Sequence, residues 1–231
     1  MKYIVLFMLV LLPLLNAKTY SISGGTNNTV QKIASFLLKN AYARAGLKMK
    51  PVFMQLEQSL ISSNSGQTDG EMARIKKISM NYSNLLIVPV PLITVHAIAF
   101  STNKDIYISK WSDLKDYRVT IVKGTKFIEA ATQDINRTLV MHFKDAFHAL
   151  QEGKTDIIVV PKLAGLTAIF LNKYKNIITV SKPLKSLPLY HFVHKKNANV
   201  IPLLTPILQK MRDSGEIAYA RRSYLNSITF R

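Results

Sequence analysis

The sequence predicts an α/β protein of two lobes joined by a two-crossover hinge. Three observations carry this reading. Short apolar runs alternate with helix-period stretches along most of the chain, the pattern of strands feeding helices around a mostly parallel sheet. Residues 156–160 are apolar after the first, as expected of a strand covered on both faces. Proline-containing segments near 89–95 and 183–188 interrupt the alternation and read as crossovers between two lobes.

Taken in order, 20–22 is a short strand. Val30, Ile33, Ala34, Leu37, Leu38 and Ala41 then recur at the spacing of one helical face. Asn28 with Gln31 three residues on has the form of a capping box, and Gly46 is a stop signal. Residues 51–54 read as a strand, 57–63 as a helix running into a polar loop, and 85–90 as a buried strand. Strands follow at 97–101 and 119–122, with a helical turn at 111–114 between them. Residues 126–136 read as a helix, 139–142 as extended, and 145–151 as a helix capped by Asp145 and stopped at Gly153. A helix at 163–171, a strand at 177–180 and a strand at 189–194 come next. Two helices, 202–213 and 216–224, separated at Gly215, close the chain.

Composition narrows the function. The chain has 231 residues, 31 Lys and Arg against 13 Asp and Glu, and no cysteine. A hydrophobic fraction of 48% excludes a disordered chain. The missing cysteine excludes disulfides, thiolate zinc sites, a cysteine nucleophile and a lipid-modified N-terminal cysteine. Met1 and Lys2 precede an apolar run over 3–15 that ends at Asn16-Ala17, the form of a secretory signal peptide spanning 1–17. The run is too short to span a bilayer. A secreted chain without cysteine fits a bacterial periplasm. The charge of +18 invites a nucleic-acid reading, but the basic residues are dispersed and never run beyond pairs such as Lys76-Lys77.

Four stretches, in this order and spacing, resemble the family 3 extracellular solute-binding proteins. They are Gly66-Gln67-Thr68-Asp69-Gly70-Glu71-Met72-Ala73-Arg74-Ile75, then Trp111-Ser112-Asp113-Leu114 with Val122-Lys123-Gly124-Thr125, then Glu152-Gly153-Lys154-Thr155-Asp156, and Met211-Arg212-Asp213-Ser214-Gly215-Glu216-Ile217. The resemblance covers nearly the whole chain after the leader. It implies the type II periplasmic-binding-protein-like fold, with lobe 1 at 18–94 plus 188–231 and lobe 2 at 95–187. It also implies capture of a small polar solute between the lobes for ABC-type uptake. The macromolecular partner is then an inner-membrane ABC permease or a sensor. No cofactor, metal or nucleic-acid partner is expected, and the protein is expected to be a monomer.

The resemblance selects candidate ligand residues. At Gly124-Thr125-Lys126 a strand ends, a glycine turns the chain and a helix begins, aiming backbone N–H groups at the cleft. The alternative there is an ordinary glycine turn with a threonine N-cap. Arg74 offers a bidentate donor to a carboxylate, or else a surface salt bridge to Glu71. Glu71 and Tyr190 complete the set, with packing the alternative for Tyr190. Two departures from the family matter. Lys76, Lys77 and Asn81 stand where small hydroxyl residues and a later arginine are usual, and Pro161-Lys162 replaces the usual carboxylate for an α-ammonium group. An anionic or carboxylate-bearing solute therefore fits Arg74, Lys126 and Lys162 better than a standard amino acid.

Catalytic signatures are missing. There is no Gly-x-Ser-x-Gly elbow, no His-Glu-x-x-His motif and no Walker loop. His191 and His194, three apart in a predicted strand, point to opposite faces and do not share a metal. The reading is therefore not an enzyme. Its alternatives are a ligand sensor docking on a membrane receptor, and a dehydratase or lyase of the same fold using Glu57 or Glu71 as acid or base.

Overall fold

The first unit grows from β1 (Thr19–Gly25), α1 (Thr29–Arg44) and β2 (Lys48–Met54), with β1 and β2 paired in parallel. The structure, a computed structural model, describes residues 18–26 and 28–229. The signal peptide read at 1–17 lies outside the described residues. All six apolar residues that the sequence places on one face of α1 are buried. Asn28 caps the helix by accepting from the N–H groups of Val30 and Gln31. Gln31 does not reach back to close a capping box. Its amide donates to Ala73 O at 2.9 Å and ties α1 to the third strand.

The chain continues through α2 (Leu56–Asn64) and β3 (Gly70–Ile75), a 3₁₀ turn (Lys76–Met80), and β4 (Leu85–Ser101). A second 3₁₀ turn (Trp111–Asp116), β5 (Val119–Val122), α3 (Lys126–Ala131) and β6 (Arg137–Val140) follow. Then come α4 (Phe143–Gln151), β7 (Ile157–Pro161), α5 (Lys162–Asn172), β8 (Ile178–Thr179) and β9 (Lys185–His194). A third 3₁₀ turn (Lys195–Val200), α6 (Ile201–Asp213) and α7 (Glu216–Thr229) end the described chain.

Strand β3 has no counterpart in the sequence reading, β9 starts at Lys185 and β8 spans only Ile178–Thr179; three other differences have a clear local reason. The strands read at 85–90 and 97–101 are one strand, β4. Pro89 and Pro91 survive inside it because the pairing with β9 shifts register between Ile87 and Ile93, where the ladder is already interrupted. Helix α3 stops at Ala131 rather than 136. Thr132 leaves helical φ/ψ and its hydroxyl donates to Ile128 O at 2.7 Å. Asp145 lies in the first turn of α4, whose N-cap is His142, so it favours the helix dipole without capping.

The strands form a single path, β2-β1-β3-β9-β4-β7-β5-β6, with β8 paired to β4. The sheet is mixed rather than mostly parallel. Its ends are parallel, β2-β1-β3 on one side and β7-β5-β6 on the other. Its centre is antiparallel, because β4 runs out of the first half, β9 runs back into it, and the two pair along their length. In β7, Ile157 and Val159 enter one core cluster while Ile158 and Val160 enter another, the period-2 alternation of a strand covered on both faces. Helices α1 and α6 supply much of the core of the first half.

Within that core, His191 of β9 is fully buried. Its Nδ1 lies 2.8 Å from Glu71 O, an acceptor only, so Nδ1 carries the proton. Nε2 then accepts from the Tyr42 hydroxyl at 3.0 Å. Burial holds the imidazole pKa down to about 4 from 6.5, against the pull of backbone hydrogen bonding at Glu71 and Met72.

A base whose pKa is depressed in the fold contributes stability above its unfolded value and loses it as pH falls toward the folded one. Unfolding free energy is therefore expected to fall between 6.5 and about 4, with this group supplying at most about 3 kcal/mol. Urea denaturation across that window checks it. A His191→Gln variant should show a flatter profile, and an equally steep one would assign the loss elsewhere.

Candidate functional site

Glu71 and Arg74 lie three apart on β3, and in a regular strand such residues face opposite ways. The pairing of β3 with β9 slips by one residue between them: Glu71 pairs with Phe192, whereas Arg74 pairs with Tyr190. This bulge returns Arg74 to the face of Glu71. Arg74 Nε donates to Glu71 Oε1 at 2.6 Å, with the two residues 5% and 0% exposed. The pair is buried, where the sequence reading had a surface salt bridge as its alternative. Burial pushes the Glu71 carboxyl pKa up, and Arg74, Ser23 and Ser59 pull against that shift. The Ser23 and Ser59 hydroxyls stand 3.0 and 3.1 Å from its two oxygens.

The rest of the guanidinium reaches across the molecule. Nη2 donates to Leu56 O at 2.5 Å and Ser59 Oγ at 2.6 Å. Nη1 donates to Gly124 O at 2.9 Å. Arg74 of the first sheet half thus grips the turn after β5 in the second. Gly124 must be glycine there for two reasons. Its φ is +87°, and a Cβ would lie 2.6 Å from Glu57 N and 2.8 Å from Leu56 C.

The turn is occupied by the chain's own groups. Gly124 N–H donates to the Glu129 carboxylate. Lys126 Nζ lies 2.6 Å from Glu57 Oε2 and 3.1 Å from Glu129 Oε2. Burial tends to lower the Lys126 pKa, but the two carboxylates outweigh it and the net shift is upward. Thr125 is the N-cap of α3 yet makes no side-chain capping bond. Its Oγ1 and Gln31 Oε1 are buried without a hydrogen-bond partner among the described residues. Both residues line a cavity of about 40 Å³ together with Arg74, Gly124, Lys126 and Pro161. That volume holds about one to three waters.

Arg74, Gly124, Thr125 and Lys126 are therefore brought together, and Glu71 sits behind them with no exposed surface. Tyr190 is partly buried on the other side of this pinch, lining a wider groove with Lys126. Sequence reasoning missed Glu129, although an acid in the first turn of a helix is a recognisable signal. It also missed Gln31, which read as a cap residue. Lys162 begins α5, and Asp156 accepts from Arg118 at the far end of β7, a framework contact. Among the described residues no cluster of His, Cys, Asp and Glu could hold a metal, and no helix is long and apolar enough to cross a membrane.

The fold recurs in solved structures. A histidine kinase sensor domain with similarity to periplasmic binding proteins matches at TM-score 0.77 and 16% identity, over 90% of this chain and 96% of that one. An ancestral arginine-binding protein bound to arginine matches at 0.76 and 15%, over 89% and 97%. The substrate-binding protein of an amino acid ABC transporter matches at 0.70 and 18%, over 90% and 99%. At such identities the shared property is the fold, the two-lobed type II architecture of periplasmic binding proteins. An uncharacterized protein of Shewanella oneidensis is 24% identical over 197 residues, 80% of this chain and 72% of its own length. No family model matches the chain.

Two outcomes follow from this geometry. Arg74→Met strands a buried carboxylate and should lower stability by about 3 kcal/mol. Adding Glu71→Gln should recover much of that loss in urea denaturation, and simple additivity would show that the pair is not coupled. Gly124→Ala places a methyl against Glu57 and should hold the sheet halves apart. Small-angle X-ray scattering should then give a larger radius of gyration than the parent chain, and an unchanged radius would count against the contact.

Proposed function

We propose that the protein is a periplasmic binding protein that closes two lobes, 18–94 with 188–231 and 95–187, on a small polar solute carrying a carboxylate or another anionic group. One observation carries the reading: two cations at the pinch, Arg74 and Lys126, are held by protein oxygens from the opposite half. Opening frees donors on both walls, and a solute that offers oxygens to both restores closure. Binding then shifts the population toward the closed form by the contacts it adds there.

Support comes from what the cleft lacks as well. Pro161 lines the cavity and Lys162 follows, so no carboxylate stands at the end of β7 to receive an α-ammonium group. The acids near the turn, Glu57 and Glu129, are engaged with Lys126. Solved proteins of the same fold include an arginine-binding protein and an amino acid ABC transporter component, and this likeness supports uptake as the first reading. A sensing role, with the binder docking on a membrane receptor, is the second reading, favoured by the sensor-domain match. Glu71, buried against Arg74, is poorly placed for an acid–base role, which disfavours the lyase alternative.

A thermal-shift screen of the secreted chain against amino acids, organic acids, phosphorylated solutes and polyamines tests the proposal. Organic anions should raise the melting temperature with concentration. Thr125→Ala, which removes an orphaned hydroxyl without disturbing the Arg74 network, should weaken the effect severalfold. A shift produced by zwitterionic amino acids or polyamines alone would overturn the anionic assignment.

A further inference from the structure

Beside the pinch lies a larger space. A groove of about 1040 Å³ runs from the 3₁₀ turn Lys76–Met80 and Tyr82, over Pro188 and Tyr190 of β9, to Trp111 and the outer side of α3. Its walls come from both sheet halves and its floor from a strand that joins them. The volume is at the upper end of small-molecule sites and far beyond the inner cavity at Arg74.

Two features of its lining go together. Four aromatic side chains face it: Tyr82, Trp111, Phe127 and Tyr190. Five cations do as well: Lys126 is paired with Glu57 and Glu129, whereas Lys76, Lys77, Arg137 and Lys185 form no ion pair among the described residues. The Nε of Arg137 is buried without a hydrogen-bond acceptor among the described residues. The carboxylate on the wall, Glu129, is already engaged by Lys126 and by Gly124 N–H. A buried guanidinium N–H without an acceptor leaves a hydrogen bond unmade, and its neighbours add positive charge with no local counter-charge.

We infer that this groove binds an aromatic anion carrying at least two negative charges, with its ring against Trp111 and Tyr190 and one anionic group on Arg137. The aromatic walls supply stacking area. Arg137 and the lysines supply the charge complement, and a planar acceptor pair suits the guanidinium fork. This deepens the binding-protein reading and rests on it, since an occupant touching both walls favours the closed arrangement. A second anionic group reaches the Arg74 and Lys126 donors that opening frees, and the groove holds the bulk of the solute.

Trp111 is the only tryptophan of the chain, so its emission reports the groove directly. The probes are benzene-1,3-dicarboxylate and adenosine 5′-monophosphate, with succinate, benzoate and inorganic phosphate as controls. Saturable change in Trp111 emission, with a matching thermal shift, is expected for one or both aromatic dianions. The controls should bind about tenfold more weakly or worse. Arg137→Ala and, separately, Lys77→Ala should each weaken binding about tenfold with the circular dichroism spectrum unchanged. Succinate binding as tightly as the aromatic dianions would overturn the role of the ring. Aromatic dianions that raise the melting temperature without changing Trp111 emission, or that ignore Arg137→Ala, would place the solute elsewhere and leave the binding-protein reading intact. No response to either dianion, with a response to another class in the broader screen, would likewise overturn the groove alone.

Discussion

A guanidinium keeps its charge under all ordinary conditions, so a chain that buries one must surround it with acceptors. Arg74 imposes that demand here. It is met by a carboxylate on its own strand, by a carbonyl and a hydroxyl from α2, and by a carbonyl from the turn after β5. Much local geometry follows. The bulge in β3 is what lets Arg74 reach Glu71. The close approach of α2 to Gly124 is what brings both carbonyls within reach, and it excludes a side chain at 124. A single buried charge thereby couples strand register, helix position and the spacing of the two sheet halves.

The excess positive charge has a matching logic. Acids are scarce, and several of them are committed to positions where a cation is buried or half-buried: Glu71 with Arg74, and Glu57 and Glu129 with Lys126. Asp69 is itself buried and holds two exposed cations, Lys18 and Lys196, while it accepts from Ser21 and Asn197. Its hydrogen bonds and the nearby Lys18 outweigh burial and keep its carboxyl well below the usual carboxylate range. Of the remaining cations, some pair with surface acids, as Arg44 does with Glu216 and Arg118 with Asp156, and others are left to solvent and to the groove at Arg137. Charge that looked dispersed along the chain is thus sorted by the fold into a neutralised interior and a surface that is only partly neutralised.

Sequence reasoning reached the helical face of α1, the two-faced strand β7, the glycine turn at 124 and the closing helices, because each depends on spacing within a few residues. It placed Arg74 and Lys126 near one another only through resemblance to a family. What it missed depends on register between distant segments. No periodicity announces that β3 bulges opposite β9, so a Glu71–Arg74 contact read as a surface salt bridge and not as a buried pair. Nor does local pattern show that Pro89 and Pro91 fall where the β4–β9 ladder is already irregular, which is why one long strand read as two. Glu129 was visible as an acid in a first helical turn, but its partner, the N–H of Gly124, is set by the tightness of the turn.

The contacts across the pinch bear on affinity even before a solute is considered. A charge-assisted hydrogen bond such as Arg74 to Gly124 O is worth about 1.5–3 kcal/mol net, and Lys126 to Glu57 adds to it. If together they favour closure by about 3 kcal/mol, the open form is roughly one molecule in a hundred, and apparent affinity falls by that factor when entry requires opening. A solute recovers this only by contacts that the empty closed form does not make. The inner cavity, with room for a few waters and two orphaned polar atoms, offers few of them. The groove offers more, since Lys76, Lys77, Arg137 and Lys185 on its walls form no ion pair among the described residues. Self-closure at Arg74 therefore biases the protein toward solutes that extend from the pinch into the groove beside it.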